Sequence, residues 1–193
     1  NVKDIMIPSE EHPIQMYPMD FEEFLWAMGD EVMMPYIQSQ FEKKKPMGAF
    51  HRRAMDYFRQ YMIVGGMPQA VKKYVETRDF EKVDEVKRDI LALYRNDIKK
   101  YADNQETKVS AIFEEIPSQL QKHEKKFRLS ALQDDARMRD YSQAFFWLSD
   151  ARVVNCCYNS TEPSIGLKLN EDRTTVKCYL NDTGLLISHA FDE

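Results

Sequence analysis

Apolar residues recur at helical spacing over most of this chain. In Asp20-Phe21-Glu22-Glu23-Phe24-Leu25-Trp26-Ala27-Met28 an acid precedes apolar positions 21, 24, 25 and 28, a Glu follows three residues after Asp20, and Gly29 closes the run. That is the pattern of a short, capped helix, with Ile14 to Pro18 as an extended lead-in. From Asp30 to Pro46 the pattern falters: Pro35 interrupts it and Lys43-Lys44-Lys45 stand before Pro46, which predicts a broken helix and then a linker. Phe50, Ala54, Tyr57, Phe58 and Tyr61 form one stripe on a helix from Met47 to about Met62 that stops before Gly65-Gly66. Pro68 suits the first turn of the next helix, with Ala70, Val71, Tyr74 and Val75 inward. Asp79 caps the longest helix, where Val83, Val86, Ile90, Leu93, Tyr94 and Ile98 keep the helical period to about Tyr101.

Beyond Asp103 the elements become short, which places a boundary near residue 103. A helix over about 105–121 carries Val109, Ile112, Phe113, Ile116 and Leu120, with Pro117 as an expected kink. Lys126 to Leu129 reads as a short extended stretch. Ser130 caps a brief helix to about Asp135, and Arg137 to Asp150 forms another with Tyr141, Ala144, Phe145 and Leu148 inward. Two strands follow, Val153 to Tyr158 and Thr174 to Leu180. Helix, short strand, helix, helix, strand, loop, strand is the order of a winged helix. The fold class expected is therefore mainly α: a helical subdomain over 18–102, then a winged-helix domain (helix-turn-helix with a small β-wing) over 103–193.

Composition narrows the class. The 193 residues are 43% hydrophobic and 31% charged with only 6 Gly, which suits folded, helix-rich protein better than disorder. The net charge of −5 is unevenly placed: residues 1–50 hold 4 Lys/Arg against 9 Asp/Glu, whereas residues 51–102 hold 12 against 8. A uniformly basic nucleic-acid binder is excluded, but a local basic face is not. No apolar run approaches the roughly 20 residues of a membrane helix, and no basic flank followed by an apolar stretch opens the chain. Three cysteines, Cys156, Cys157 and Cys178, cannot complete a disulfide framework and fit a reducing compartment, so a cytoplasmic location without membrane partners is expected.

Candidate chemistry is sparse. A phosphate-binding loop needs glycines whose amides surround the phosphates and a following Lys-Ser or Lys-Thr, and none of the glycines is so followed. Gly65-Gly66 reads as a turn that needs positive φ. Adjacent Cys156 and Cys157 point to opposite faces of a strand and do not share a tetrahedral ion, so the thiols read as buried apolar side chains, and no metal site is assigned. The strongest local charge is Lys122-His123-Glu124-Lys125-Lys126-Phe127-Arg128, continuing to Arg137 and Arg139. Lys122, Lys125, Lys126, Arg128, Arg137 and Arg139 are candidate DNA contacts if the third helix of the winged helix enters a groove. That helix, rich in aromatic residues and carrying Asp140 and Asp150, is poorly composed for DNA, which favours a solvated or protein-facing edge. Arg52 and Arg53 are candidates to reach a phosphate in trans, as arginines do where charge develops on a transferring group. No catalytic residue is assigned.

These residues resemble a known family. Tyr17 to Leu25, Gly65-Gly66-Met67-Pro68-Gln69-Ala70-Val71, Ile90 to Ile98, Ile116 to Leu120, Lys126-Phe127, Trp147 to Ala151 and Tyr179 to Leu186 stand in the order found in prokaryotic AAA-type P-loop ATPases, after their nucleotide-binding core. The resemblance implies that residues 1–17 are the edge of an ATPase core, that the phosphate-binding loop lies before Asn1, and that many members continue into a nuclease-like domain. It implies ATP and Mg for the intact protein and no cofactor for this stretch. The function implied is coupling of ATP binding or hydrolysis in that core to a protein or DNA partner. An autonomous winged-helix DNA-binding regulator is the competing expectation, and a self-contained enzyme a weaker third.

Overall fold

In the computed structural model, residues 14–102, 104–162 and 165–191 are described. The expected ATPase-core edge therefore falls largely outside them. The fold is mainly helical, with eight α-helices among the described residues: α1 (Phe21–Ala27), α2 (Met33–Glu42), α3 (Phe50–Val64), α4 (Pro68–Thr77), α5 (Phe80–Tyr101), α6 (Glu106–Gln121), α7 (Met138–Asp150) and α8 (Thr183–Ala190). Strands β1 (Val154–Ser160) and β2 (Glu171–Leu180) form one antiparallel sheet.

Local chemistry explains the element starts. Asp20 and Glu23 close a reciprocal capping box on α1, each side chain bonding the other's backbone N–H at 2.9 Å. Pro68 opens α4, where its missing N–H costs nothing. Asp79 and Asp182 cap α5 and α8 through the amides of Glu81 and Leu185. Residue 65 has φ +82°, so the chain leaves α3 through a conformation that glycine adopts without strain.

Helix α5 is the spine, about 33 Å long at 1.5 Å per residue. Its first turns contribute Val83 to a cluster with Phe24, Val64, Ala70, Val71 and Tyr74. Its later turns contribute Ile90, Leu91 and Ile98 to the largest cluster, which also holds Phe113, Phe127, Phe145, Leu148, Val176 and Leu185. Phe127 and Phe145 meet edge-on at 5.2 Å, a geometry worth about 0.5–1.5 kcal/mol beyond burial. Ala102 and Val109 belong to the same cluster, so apolar packing is continuous across the division expected at residue 103.

In the second half, Phe127 N–H donates to the Val176 carbonyl at 2.8 Å, laying the extended 126–128 stretch beside β2. The β1–β2 register pairs Val154 with Leu180 and Cys156 with Cys178, and shifts at a bulge between Tyr158 and Asn159. Among the described residues no helix is long and apolar enough to cross a membrane.

Several expectations need correction. Helix α2 is unbroken because Pro35 is its third residue, inside the first turn, where its missing N–H leaves no helical carbonyl unpaired. On α3, Phe50 and Phe58 face outward; Ala54 and Val64 are buried, with Tyr57 and Tyr61 half-buried beside them. On α5, Leu93 points to solvent while Leu91 and Lys87 take the inward face. The helix expected over 130–135 is only a 3-10 turn at Leu129–Ala131. The strands are longer than expected, and α8 had no counterpart in the sequence reading.

Candidate functional site

The densest buried polar grouping lies where α8 meets α3 and α5. Helix α3 ends at Val64, so the Ile63 carbonyl lacks a helical partner. Lys87 reaches it from α5, its Nζ donating at 2.9 Å while the side chain is 2% exposed. A cation at the carbonyl end of a helix is favoured by the aligned peptide dipoles. Asp182 does the complementary work at the amide end of α8, its Oδ1 accepting from Leu185 N–H at 2.8 Å. Its Oδ2 accepts from Gly66 N–H at 2.6 Å, which ties α8 to the α3–α4 turn across more than a hundred residues of sequence. Burial pushes the Asp182 carboxyl up, against the amides of Gly66 and Leu185 and the Lys87 charge. Burial pulls the Lys87 ammonium down, against Asp84 and Asp182. Each is a charge the interior disfavours, held by the other and by oriented backbone.

Backbone contacts make the joint tight. A Cβ on residue 66 would stand 2.0 Å from the Met19 carbonyl oxygen, and one on residue 184 would stand 2.3 Å from that of Val64. A Cβ on residue 65 would strike the Asp182 carboxylate. These three glycines therefore permit the approach of three separated segments. Met19 N–H donates to the Gly66 carbonyl at 2.7 Å, bringing in the residues before α1.

A second layer flanks this one. Asp84 Oδ1 accepts a short hydrogen bond from Ser188 Oγ, and Asp84 Oδ2 pairs with Arg88 at 2.7 Å. Arg88 also donates to the Phe191 carbonyl at 3.1 Å. His189 Nε2 lies 2.9 Å from the Phe113 carbonyl, and its ring stacks on Phe113 with centroids 4.7 Å apart. Within α6 that carbonyl would accept from residue 117, which is proline and has no N–H. His189 supplies the donor that Pro117 lacks. This assigns Nε2 as the protonated nitrogen and leaves Nδ1 facing Arg95 at 3.4 Å. Ser188 bonds Asp84 and His189 bonds the Phe113 carbonyl, so the two do not form a nucleophile–base pair, although His189 borders a surface groove of about 490 Å³ with Glu114 and Phe191.

The geometry does not fit a phosphate at Gly65-Gly66. An anion-binding turn needs amides aimed outward, whereas Gly66 N–H is bonded to Asp182 and the carboxylate fills the concavity.

The sequence-derived candidates lie elsewhere. Lys122 faces Glu115 at 3.7 Å, Arg128 faces Glu124 at 3.2 Å and Arg139 faces Asp140 at 3.6 Å. Lys125 donates to the Leu120 carbonyl. Lys126 and Arg137 are exposed, Lys126 beside a groove of about 330 Å³ along the hairpin. Most of this basic edge is thus met by the chain's own acids and carbonyls. Arg53 is held by Asp30 at 2.8 Å and lies over the Tyr57 ring, fixing the entry to α2; Arg52 is exposed beside it. Of the thiols, only Cys178 is fully buried, Cys156 is half-buried, and Cys157 is exposed.

The joint residues Asp84, Lys87, Asp182, Ser188 and His189 were not singled out from sequence. Two signals were present. Lys87 sits in phase with Val83, Ile90 and Leu91 on an otherwise apolar stripe, and Asp182 stands three residues before Leu185-Leu186-Ile187 as an N-cap would.

Comparison with curated proteins and with solved structures gives no match. A family model described as a domain of unknown function, DUF8612, matches residues 55–191. That stretch holds the Gly65-Gly66 turn, α4 to α8, both strands and every side chain of the joint, and the chain belongs to the DUF8612 family.

Proposed function

We propose that this chain is the coupling region of an AAA-type P-loop ATPase, a helical subdomain followed by a winged helix that passes nucleotide-driven displacement to a protein partner. One observation carries the reading. Segments on which the family resemblance rests, the stretch around Met19, the Gly65-Gly66 turn and the Asp182-Thr183-Gly184-Leu185 run, converge on a single buried joint. A joint of this kind makes the helices before residue 103 and the hairpin after it move together. The winged-helix assignment is supported by the order α6, extended 126–128, 3-10 turn, α7, β1, β2, with the extended stretch paired to β2.

A protein partner suits the outward side of α7, where Phe146 is 68% exposed and Asp140 and Asp150 flank it. ATP and Mg belong to the expected ATPase core, since no residues described here fit a phosphate cradle. The test uses the protein carrying this region together with such a core. Asp182→Ala is expected to retain ATP turnover while abolishing the ATP-dependent change in hydrogen exchange over residues 104–180; an unaltered response would overturn the proposal.

Direct DNA binding is the second reading, favoured by the exposed Lys126 and Arg137. It requires duplex affinity that falls steeply with salt, and a flatter slope when Lys125, Lys126 and Arg128 are replaced by Ala. Absence of binding at low salt removes it.

A further inference from the structure

Cys156 and Cys178 are direct cross-strand partners in the antiparallel sheet. Residues so paired share a face, with Cβ atoms about 4.5–5.5 Å apart, and a disulfide needs about 3.5–4.5 Å. Both lie on the inward side of the hairpin: Cys178 is in the main apolar cluster and Cys156 packs against it. Their exposure differs, since Cys178 is 1% exposed and Cys156 is half-buried with a route to solvent. The adjacent Cys157 is exposed, on the opposite face, in register with Lys177. We propose that Cys156 and Cys178 form a peroxide-responsive dithiol, a modification site at which Cys156 is the attacking thiol and Cys178 the resolving one.

The electrostatics agree with that division. Hydrogen bonding from Cys178 holds the Cys156 thiol below its usual range, against burial and with help from Tyr158. The same contact and burial push the Cys178 thiol up. The thiolate is the nucleophile, so Cys156 reacts first.

The chemistry balances with hydrogen peroxide as oxidant. Cys156 thiolate attacks one peroxide oxygen, forming S–O and breaking O–O, and the departing hydroxide takes a proton to become water. The Cys178 sulfur then attacks the sulfenic sulfur, forming S–S and breaking S–O, and its proton leaves with that oxygen as a second water. The two thiols together lose two electrons, and the peroxide gains them. The new bond would cross-link the hairpin two residues before Leu180, close to the strand end that leads into Asp182.

The test is peptide mapping of the whole chain, reduced and then treated with stoichiometric hydrogen peroxide. A Cys156–Cys178 linked peptide, reversed by dithiothreitol, is expected in the unaltered chain and at an unchanged rate in Cys157→Ser. Cys156→Ser should abolish it, and Cys178→Ala should leave a dimedone-reactive sulfenate at Cys156. Because Cys178→Ala opens space in the core, capture of one phenylarsine oxide by the unaltered chain, with Cys156 and Cys178 both protected from iodoacetamide, gives an independent measure of thiol proximity. Peroxide treatment that leaves both thiols reduced, or links or oxidises Cys157 instead, overturns the proposal. So does failure of the arsenical to protect the pair.

Discussion

Replacing Asp182 is the most direct test of the joint. Its carboxylate accepts from Leu185 N–H and Gly66 N–H and balances Lys87 inside the protein. A raised pKa says that ionisation is penalised there, not that the group is dispensable, because deletion leaves its partners stranded. Asp182→Ala removes a helix cap, about 0.5–2 kcal/mol. It leaves the Gly66 N–H buried without an acceptor, about 1–3 kcal/mol. It also leaves Lys87 with Asp84 at 3.8 Å as its remaining acid, so the cost approaches but does not exceed the about 3–5 kcal/mol of a broken buried pair. These terms share atoms and do not add, and an overall loss of about 3–5 kcal/mol is expected. Asp182→Asn keeps an oxygen for Leu185 but removes the charge, and should fall between wild type and Ala. Urea unfolding followed by far-ultraviolet circular dichroism reads the loss as a lower midpoint at constant slope. A cycle with Lys87→Met should give a coupling energy above about 1 kcal/mol. A cost for Asp182→Ala below about 1 kcal/mol, with no coupling, is what an exposed cap would give, and would refute the joint.

Gly66→Ala and Gly184→Ala drive a Cβ into the Met19 and Val64 carbonyls and should each cost about 3 kcal/mol or more, whereas Gly29→Ala, at φ +81° but with nothing within 4 Å, should cost only about 1–2 kcal/mol by thermal or urea unfolding. His189→Ala leaves the Phe113 carbonyl without its donor and should cost about 2–4 kcal/mol; in a Pro117→Ala background, where residue 117 regains an N–H, the same change should cost measurably less. Burial raises the Asp84 carboxyl, but Ser188, Arg88 and Lys87 more than offset this and hold it below its usual value. The stability it contributes is therefore complete above pH about 4 and lost as pH falls through the depressed value. Asp84→Asn should lower the urea midpoint at pH 7, with the gap to wild type narrowing below pH 4; Asp182, shifted upward, acts in the opposite sense and cannot produce that narrowing.

The helices were legible wherever local chemistry and burial agree. The Asp20 box, the Pro68 start and the Asp79 cap are each written in a few adjacent residues. An error arose where a single residue has two readings: Pro35 breaks a helix interior but suits a first turn. Helix α8 was missed because its apolar residues 185–187 are consecutive, which does not mark a face. The joint was illegible because its parts are far apart in sequence, Gly66 and Asp182 by 116 residues, and nothing in Lys87 or Asp182 alone names the other. Register was equally hidden: the cysteines were visible, but the pairing of Cys156 with Cys178 depends on where β2 begins.

The Gly65-Gly66 turn has the small residues from which anion cradles are made, but Gly65 N–H closes α3 on the Tyr61 carbonyl and the anion on Gly66 N–H is the chain's own Asp182. That substitution turns a possible binding loop into a latch. Withdrawing α8 would uncover the Asp182 carboxylate, the Lys87 ammonium, the Ile63 carbonyl and the Gly66 amide together, since each is satisfied by another member of the set or by a helix end it touches. Partial withdrawal gains nothing, because loss of any one contact leaves a buried polar group unpaired at nearly full cost. The latch is therefore closed or open with little between. In the proposed coupling role, displacement of α3–α5 would carry α8 and the hairpin with it as one body until the whole set releases.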